Sequence, residues 1–409
     1  MPDTAKLSDF AFINPATDTN GTAAEAPVAF IPMAAVAEGG GWRSTENRPL
    51  SDGRRGYTLF QRGDVIVAKI TPCFENGKVA LLSDLETDFG LGSTEFHVLR
   101  AKPGHDPRFI YHWTRHPAFL RAGEASMTGS AGQRRVPAGF FERFEIAEIE
   151  GPPQRLIADI LDAIDDAVQE TDAAIEKHQA IRLGLLDDLI TVPAQIGQTD
   201  APATLADVVG SISSGCSVNA DDRPPAAGEF GVLKTSAVGG GRFRPLESKA
   251  VWPREESRLK CPVEAGLILF SRMNTPQLVG ENAFVDQDHP GLFLPDRLWA
   301  IRVKDSEGIL PEWVATILQT RQARAFITGE ATGTSGSMKN IARTSLLRLP
   351  IRKLPHADQV DAMKAVHALQ AEIDALMSER EKLAALRLGL RDDLLTGRKP
   401  VVAIREAAE

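Results

Sequence analysis

Only three of the 409 residues are cysteine, Cys73, Cys216 and Cys261. They are far apart, odd in number and form no Cys-x-x-Cys pair, which excludes a disulfide framework and a thiolate zinc site and predicts a reducing, cytoplasmic setting. No run approaches about 18 consecutive apolar residues, and Met1 to Phe10 has no apolar signal core, so neither membrane spanning nor secretion is expected. The absence of a Gly-x-x-x-x-Gly-Lys-Ser/Thr loop excludes a P-loop ATP-driven motor. Positive charge is also short: 46 Lys and Arg face 55 Asp and Glu, for a net charge of −9. That balance argues against a nucleic-acid partner only if the acid is evenly spread. It is not. Residues 146–192 hold 3 basic and 11 acidic groups, whereas 1–145 hold 16 and 17, 193–349 hold 17 and 17, and 350–409 hold 10 and 10. The rest of the chain is nearly neutral, with room for local basic faces.

What is present is an ordinary globular composition, 43% apolar and 25% charged, with 34 Gly and 26 Pro spread along the chain. Such a chain folds throughout, and its length calls for two domains or more. An internal repeat says how they arise. Arg182-Leu-Gly-Leu-Leu-Asp-Asp-Leu-Ile-Thr191 matches Arg387-Leu-Gly-Leu-Arg-Asp-Asp-Leu-Leu-Thr396 at 8 of 10 positions, half a chain apart. The same register sets Gly129 to Val136 over Thr334 to Ile341 and Gln154 over Gln359, and the triplet Gly39 to Gly41 answers Gly239 to Gly241. A period this long means duplicated domains.

Each half opens with strand signals. Gly63 to Ile70 reads as a buried strand, and the Asn76-Gly77 turn before Lys78 to Leu82 predicts a hairpin. Gly266 to Arg272 and Asn282 to Val285 answer them, and Phe96 to Leu99 is matched by Leu298 to Ile301. Short helices are expected over 107–121 and 311–327, which gives two α/β domains of roughly 150 residues. Each half closes on a long helix. The first runs from Pro152-Pro153 to Val192-Pro193, roughly 38 residues or about 57 Å. Along it Ile157, Leu161, Ile164, Val168, Thr171 and Ile175 recur at steps of three and four, and Val366, Leu369, Ile373, Leu376 and Leu383 repeat the pattern in the second. Such a seam is that of a coiled coil, so the two helices are expected to pair. Packing each helix separately on its own domain is the alternative.

In this order, the chain resembles the specificity (S) subunits of type I restriction-modification systems. The resemblance rests on Gly63-Asp-Val-Ile-Val-Ala-Lys-Ile-Thr-Pro-Cys-Phe-Glu-Asn-Gly-Lys78, on Leu269-Phe-Ser-Arg-Met-Asn-Thr-Pro-Gln-Leu-Val-Gly280, and on the segments Gly132-Gln-Arg-Arg135 and Gly336-Ser-Met-Lys-Asn340. Each of those segments leads into a helix ending Leu-x-Asp-Asp-Leu-x-Thr. It departs from the pattern where Ala357-Asp358 stand in place of a second Pro-Pro pair.

The resemblance implies an α/β fold with a pseudo-two-fold repeat: target-recognition domains at 1–150 and 193–350, antiparallel coiled-coil spacer helices at 151–192 and 351–398, and a tail at 399–409. It implies double-stranded DNA as ligand, read as a bipartite target. Two modification (methyltransferase) subunits and ATP-driven restriction endonuclease subunits are the implied partners. S-adenosylmethionine, ATP and Mg then belong to those partners, and this chain needs no cofactor and performs no catalysis. Two reading domains on a rod of this length could reach major grooves about one turn, ~34–36 Å, apart. Because the helices match while the loops Thr71 to Lys78 and Met273 to Gly280 have nothing obvious in common, an asymmetric target is expected.

Arg and Lys can pair with guanine and Asn with adenine. By position in the loops, the DNA-binding candidates are Lys69, Lys78, Arg134 and Arg135 in the first half, and Arg272, Asn274, Arg297, Lys339 and Asn340 in the second. Each has a solvated-charge or turn-forming alternative, and the Gly/Ser-rich loops could instead hold phosphate through backbone amides. Asn76 and Gly77 read as turn formers. Ile157, Leu161, Ile164, Val168, Val366, Leu369, Ile373 and Leu376 are the helix-pairing candidates. The acidic flank Asp159, Asp162, Asp165, Asp166 and Asp172 is expected to be a docking face for modification subunits or a solvated face.

Catalytic readings are weaker. The Pro-Pro pairs at Pro152 and Pro224 are followed by Gln154 and Ala226, so the Asn/Asp-Pro-Pro-aromatic signature of an adenine methyltransferase is absent. Glu247 and Lys249 behind Asp221 and Asp222 offer the residue types of a metal-dependent endonuclease, which is the alternative function. His112 and His116 have a helical zinc spacing but no third ligand. A coiled-coil scaffold without DNA is the remaining reading.

Overall fold

The structure is a computed structural model that describes residues 3–19, 21–43, 46–130, 132–149, 151–191, 203–305, 308–335 and 338–401. The chain forms two compact units, Met1–Asp172 with Ser378–Glu409, and Ala173–Met377. The division falls inside both long helices, Pro152–Thr191 and His356–Leu395, which are 40 residues each.

In the first unit, Ala11–Ile13, Phe96–Ala101, Val65–Ala68 and Val79–Leu81 form an antiparallel sheet in that order. A second sheet runs Glu46–Pro49, Pro27–Ile31, Phe89–Gly92, Thr58–Gln61, with its middle pair parallel. The strand Val65–Ala68 is apolar at every position because both of its faces are covered. Val65 and Val67 enter a core with Phe109, Trp113 and Phe119, while Ile66 and Ala68 enter another with Ile31, Phe60 and Val98. The predicted Asn76-Gly77 turn precedes Val79–Leu81, with Gly77 at φ 66°.

The second unit repeats this topology. Val209–Ser214, Leu298–Val303, Ile268–Ser271 and Asn282–Phe284 form the four-stranded sheet. Ser248–Val251, Gly231–Leu233, His289–Phe293 and Pro262–Val263 form the other, again with a parallel pair and with Ala220–Asp221 added at one edge. In each unit a two-stranded ribbon joins the start of the domain to the segment before its long helix: Thr4–Lys6 to Glu145–Ala147, and Ala203–Thr204 to Pro350–Ile351.

The short helices differ from expectation. Each predicted span is two helices, Pro107–Thr114 and Pro117–Ala125, then Pro311–Ile317 and Arg321–Glu330. The breaks are capped: His116 Nδ1 accepts from Ala118 N, and Thr320 Oγ1 accepts from Ala323 N. The second long helix lacks a Pro-Pro pair but starts directly after Pro355, with Asp358 in its first turn. The first long helix is described to Thr191; its predicted stop at Val192-Pro193, Gly336 of the second closing segment, and tail residues 402–409 lie outside the described residues.

Gln154 and Gln359, aligned by the repeat, are both fully buried and make the same bonds. Gln154 Oε1 accepts from Asp106 N (2.8 Å) and its Nε2 donates to Ile149 O (2.6 Å). Gln359 Oε1 accepts from Leu310 N (2.8 Å) and its Nε2 donates to Leu354 O (2.8 Å). Each glutamine ties the start of a short helix to the start of a long one, satisfying backbone groups that burial would otherwise strand.

Candidate functional site

In the first half the end of the central strand is held from both sides. Lys69 N donates to Glu95 O (2.9 Å), and Val136 N donates to Lys69 O (2.8 Å). Ile70 pairs with Arg135, which also pairs with Thr128 across an exposed turn containing Gly129 and Gly132, at φ 121° and 83°. Thr71 N donates to Arg134 O. Lys69, Arg134 and Arg135 are thus brought to one place by backbone pairing. Lys78 immediately precedes the neighbouring strand Val79–Leu81, and its Nζ donates to Met33 O at 3.3 Å.

The second half builds the same arrangement. Arg272 N donates to Arg297 O (3.1 Å), and Ile341 N donates to Arg272 O (3.1 Å). Met273–Asn274 pairs with Met338–Asn340, Met273 opposite Asn340 and Asn274 opposite Lys339. All five candidates of this half lie together.

The charges of the two faces differ. Arg135 forms a two-pronged bond to Glu95, Nε and Nη2 each at 2.9 Å, and this fork, with the charge of Lys69, holds the Glu95 carboxyl below its usual range. Arg134 lies 3.8 Å from Glu75, which also accepts from the Thr71 hydroxyl. Glu95 precedes the strand Phe96–Ala101; the residue preceding the equivalent strand Leu298–Val303 is the exposed Arg297. At the position of Arg135 stands Asn340, whose buried Oδ1 has no hydrogen-bond partner. Arg272 donates from Nε to Asp296 O (2.8 Å), with its guanidinium 6.0 Å from the Trp299 ring centre. Asn274 accepts from Thr275 N (2.9 Å) and donates to Ser271 Oγ (3.3 Å). Lys78, Arg135, Arg272 and Asn274 are thus hydrogen-bonded to other groups of the fold; Arg297 is exposed, and the other eight candidates are half-buried.

Sequence reasoning missed Glu75 and Glu95, since nothing local marks a partner 40 residues from Arg135. It also missed a likeness between the loops. Both begin Thr-Pro, at Thr71 and Thr275, bury one apolar side chain, Phe74 or Val279, and close on a glycine of positive φ, Gly77 or Gly280.

Of the helix seam, Ile157, Leu161, Ile164, Val168, Val366 and Ile373 are buried, and Leu369 and Leu376 are half-buried. Ile157 and Leu161 share the first unit's core with Leu394 and Leu395, and Val366 lies in the second unit's core with Leu186. In the first unit the helix segments run antiparallel: Asp165 meets Arg387 and Arg391, each at 3.5 Å, and Asp172 meets Arg380 at 3.1 Å. In the second, His178 lies 3.4 Å from Glu372.

The acidic flank is not an open face. Asp159 and Asp162 bind Arg108 at 2.7 and 3.1 Å, His112 Nε2 bonds Asp162 at 2.8 Å, and Asp165 bonds Arg115 at 2.5 Å. Burial pushes Asp162 up, but His112 and Arg108 outweigh it and hold the carboxyl below its usual range. Of the five, Asp159 and Asp166 are exposed, and Asp166 alone has no ion pair among the described residues. The sequence could not show this, because the arginines come from the globular domain and the other helix.

His112 and His116 are buried; His112 faces Asp162, and His116 Nε2 lies 3.4 Å from Asp392. Glu247 accepts from the Ser236 hydroxyl, and Lys249 pairs with Asp222 at 3.4 Å. Among the described residues no three His, Cys, Asp or Glu gather into a metal site, and no helix is long and apolar enough to cross a membrane.

No protein-family model matches the chain. It is 25% identical over 482 aligned positions to the type I restriction enzyme EcoEI specificity subunit of Escherichia coli, covering 95% of this chain and 81% of that one. It is 37% identical over 194 positions to the type I restriction enzyme EcoAI specificity subunit of the same organism, covering 45% of this chain and 32% of that one. Among solved structures, the type I restriction-modification system S subunit from M. genitalium shares the fold, with a TM-score of 0.57 at 14% identity over 96% of both chains. A duplicated domain-and-helix unit, aligned over nearly its whole length with one such protein, makes the chain similar to the specificity subunits of type I restriction-modification systems.

Proposed function

We propose that this chain is the non-catalytic DNA-specificity subunit of a type I restriction-modification complex. Residues 1–150 and 193–350 each read one half of a bipartite duplex target, and the helices at 151–192 and 351–398 join them. The observation that carries this is the pair of equivalent strand-end faces with unlike chemistry. A scaffold repeated this closely, presenting Lys69 and Arg134 beside two glutamates in one half and Arg297, Lys339 and Asn340 in the other, reads different bases in its two halves. Arg135, Arg272, Asn274 and Lys78, which are bonded to other groups of the fold, shape the faces, and the three cations among them supply positive potential. Adenine methylation with S-adenosylmethionine belongs to two modification subunits, and ATP- and Mg-dependent cleavage to restriction subunits. The complex works in the cytoplasm, where its DNA is.

The test is to map methylated adenines in DNA exposed to the chain with its modification partner. An asymmetric bipartite site is expected, and exchanging residues 1–150 for those of another specificity subunit should change one half only. A palindromic site, or a change in both halves, would overturn the reading.

A further inference from the structure

The second unit holds a half-open cavity of about 490 Å³ lined by none of the DNA-binding candidates. That volume lies in the range of small-molecule sites. Five arginines line it, Arg182, Arg242, Arg244, Arg321 and Arg324, against one carboxylate, Glu281. Three are paired: Arg242 with Asp374, Arg321 with Asp187, and Arg324 with Glu281. Arg182 and Arg244 have no ion-pair partner among the described residues. Arg182 binds only the Gln319 amide, and its Nε is buried without a partner, as is Nη1 of Arg324. Burial, and then the charge of Arg242, pull the Arg182 guanidinium below its usual range, with the charge of Glu281 offsetting them only in part. Asn282 also lines the cavity; it is 1% exposed, and neither its Oδ1 nor its Nδ2 has a hydrogen-bond partner. Buried donors and charges in this state are costly unless something satisfies them.

The first unit shows how the same place looks when the chain closes it internally. Asp165, eleven residues after Gln154, binds Arg115, Arg387 and Arg391; the residue eleven after Gln359 is Gln370. Arg182 holds the position of Arg387 in the repeat, so the arginine is kept and its carboxylate is gone. The residue after the glycine triplet is Trp42 in the first unit and Arg242 in the second. The fourth residue of the following short helix is Leu120 in one and Arg324 in the other. Apolar filling has become cationic lining.

We propose that this cavity binds a nucleotide-sized phosphorylated small molecule, its phosphates balancing Arg182 and Arg244 and its uncharged polar end bonding Asn282. An anion from outside thereby takes the part that Asp165 plays in the first unit.

The experiment titrates the full chain with ADP and with inorganic pyrophosphate at constant ionic strength, by calorimetry and by thermal unfolding, alongside R182Q and R244Q. ADP should bind below about 1 mM and raise Tm, since a ligand of the native state alone stabilises it. Each variant should weaken binding tenfold or more. Without ligand, R182Q should melt no lower than the parent, because it removes a buried charge that lacks a counter-ion; a purely structural arginine would lower it. Absence of ADP binding, ADP binding unchanged in both variants, or dependence on Arg182 seen only with duplex DNA would overturn the proposal. Binding of pyrophosphate but not ADP would overturn its nucleotide-sized ligand.

Discussion

The two units answer one engineering problem in different ways. Both lay two short helices and a long-helix pair against a four-stranded sheet, and both use a buried glutamine to fix the corner. They differ in where charge is neutralised. The second residue of the first short helix is Arg108 in one unit and Glu312 in the other. Their partners, eight residues beyond the glutamine, are Asp162 and His367, so the contact is kept with its polarity reversed. Around Asp165 the first unit closes a network with three arginines; the second keeps one arginine, adds others and loses the acid. Duplicated domains thus conserve backbone satisfaction and packing, where a change costs stability, and diverge in side-chain charge, where function can be altered.

The sharpest way to break this contrast is to remove the acid. Asp165 is 7% exposed and Arg391 8%, and burial, with Arg115 nearby, already pulls the Arg391 guanidinium down to about 10. Asp165→Ala should destabilise the first unit by about 3–5 kcal/mol, because it leaves buried guanidinium groups without a counter-charge. Gln370→Ala at the equivalent position should cost under about 1 kcal/mol, the range for a partly exposed hydrogen bond. Denaturant unfolding, with hydrogen exchange to assign the loss to one unit, measures both. Equal losses would mean that the two charge networks are not different in kind.

The glutamines test the shared part. Gln154→Ala and Gln359→Ala each leave a partly buried backbone N–H and a carbonyl unmatched, at about 1–3 kcal/mol per group at most, and the two losses should agree. A large difference would show that the scaffold, too, has diverged.

Much of the scaffold was legible in sequence because periodicity and punctuation encode it. The buried strand at Val65, the Asn76-Gly77 turn, the long helix behind Pro152-Pro153 and the repeat of Arg182 to Thr191 at Arg387 to Thr396 are all local signals. The gathering of Lys69 with Arg134 and Arg135, and of Arg272 with Lys339 and Asn340, was within reach because the repeat placed both sets at one register. What stayed hidden was pairing over long separations. Glu95 claims Arg135, and Arg108 claims Asp159 and Asp162, through the fold alone, so an acidic helix face that looked free in sequence is mostly consumed. The paired short helices were read as single ones because His116 and Thr320 cap breaks that hydrophobic periodicity runs straight through.

Acid should separate the units most gently. His97, His112 and His116 are all buried in the first unit, and burial is the leading cause that lowers each below the usual imidazole range. Their neighbours pull both ways. Lys69 opposes and Glu95 favours protonation of His97; Arg115 opposes and Asp162 and Asp165 favour it at His112; Arg391 and Arg121 oppose and Asp392 favours it at His116. With the folded value below the unfolded one of about 6.5, the unfolded chain takes up protons first as pH falls. The stability these groups contribute is complete above that pH and is lost progressively below it. Lowering pH from about 7.5 to 5.5 should therefore cost the first unit on the order of 1 kcal/mol, seen as faster hydrogen exchange in Phe96–Ala101 and Pro107–Thr114. The matching elements Leu298–Val303 and Pro311–Ile317 contain no histidine and should change less. His112→Gln, an uncharged residue that can still donate to Asp162, should flatten part of the response in the first unit. Equal acid sensitivity in the two units would place its origin in the long helices they share rather than in these three histidines.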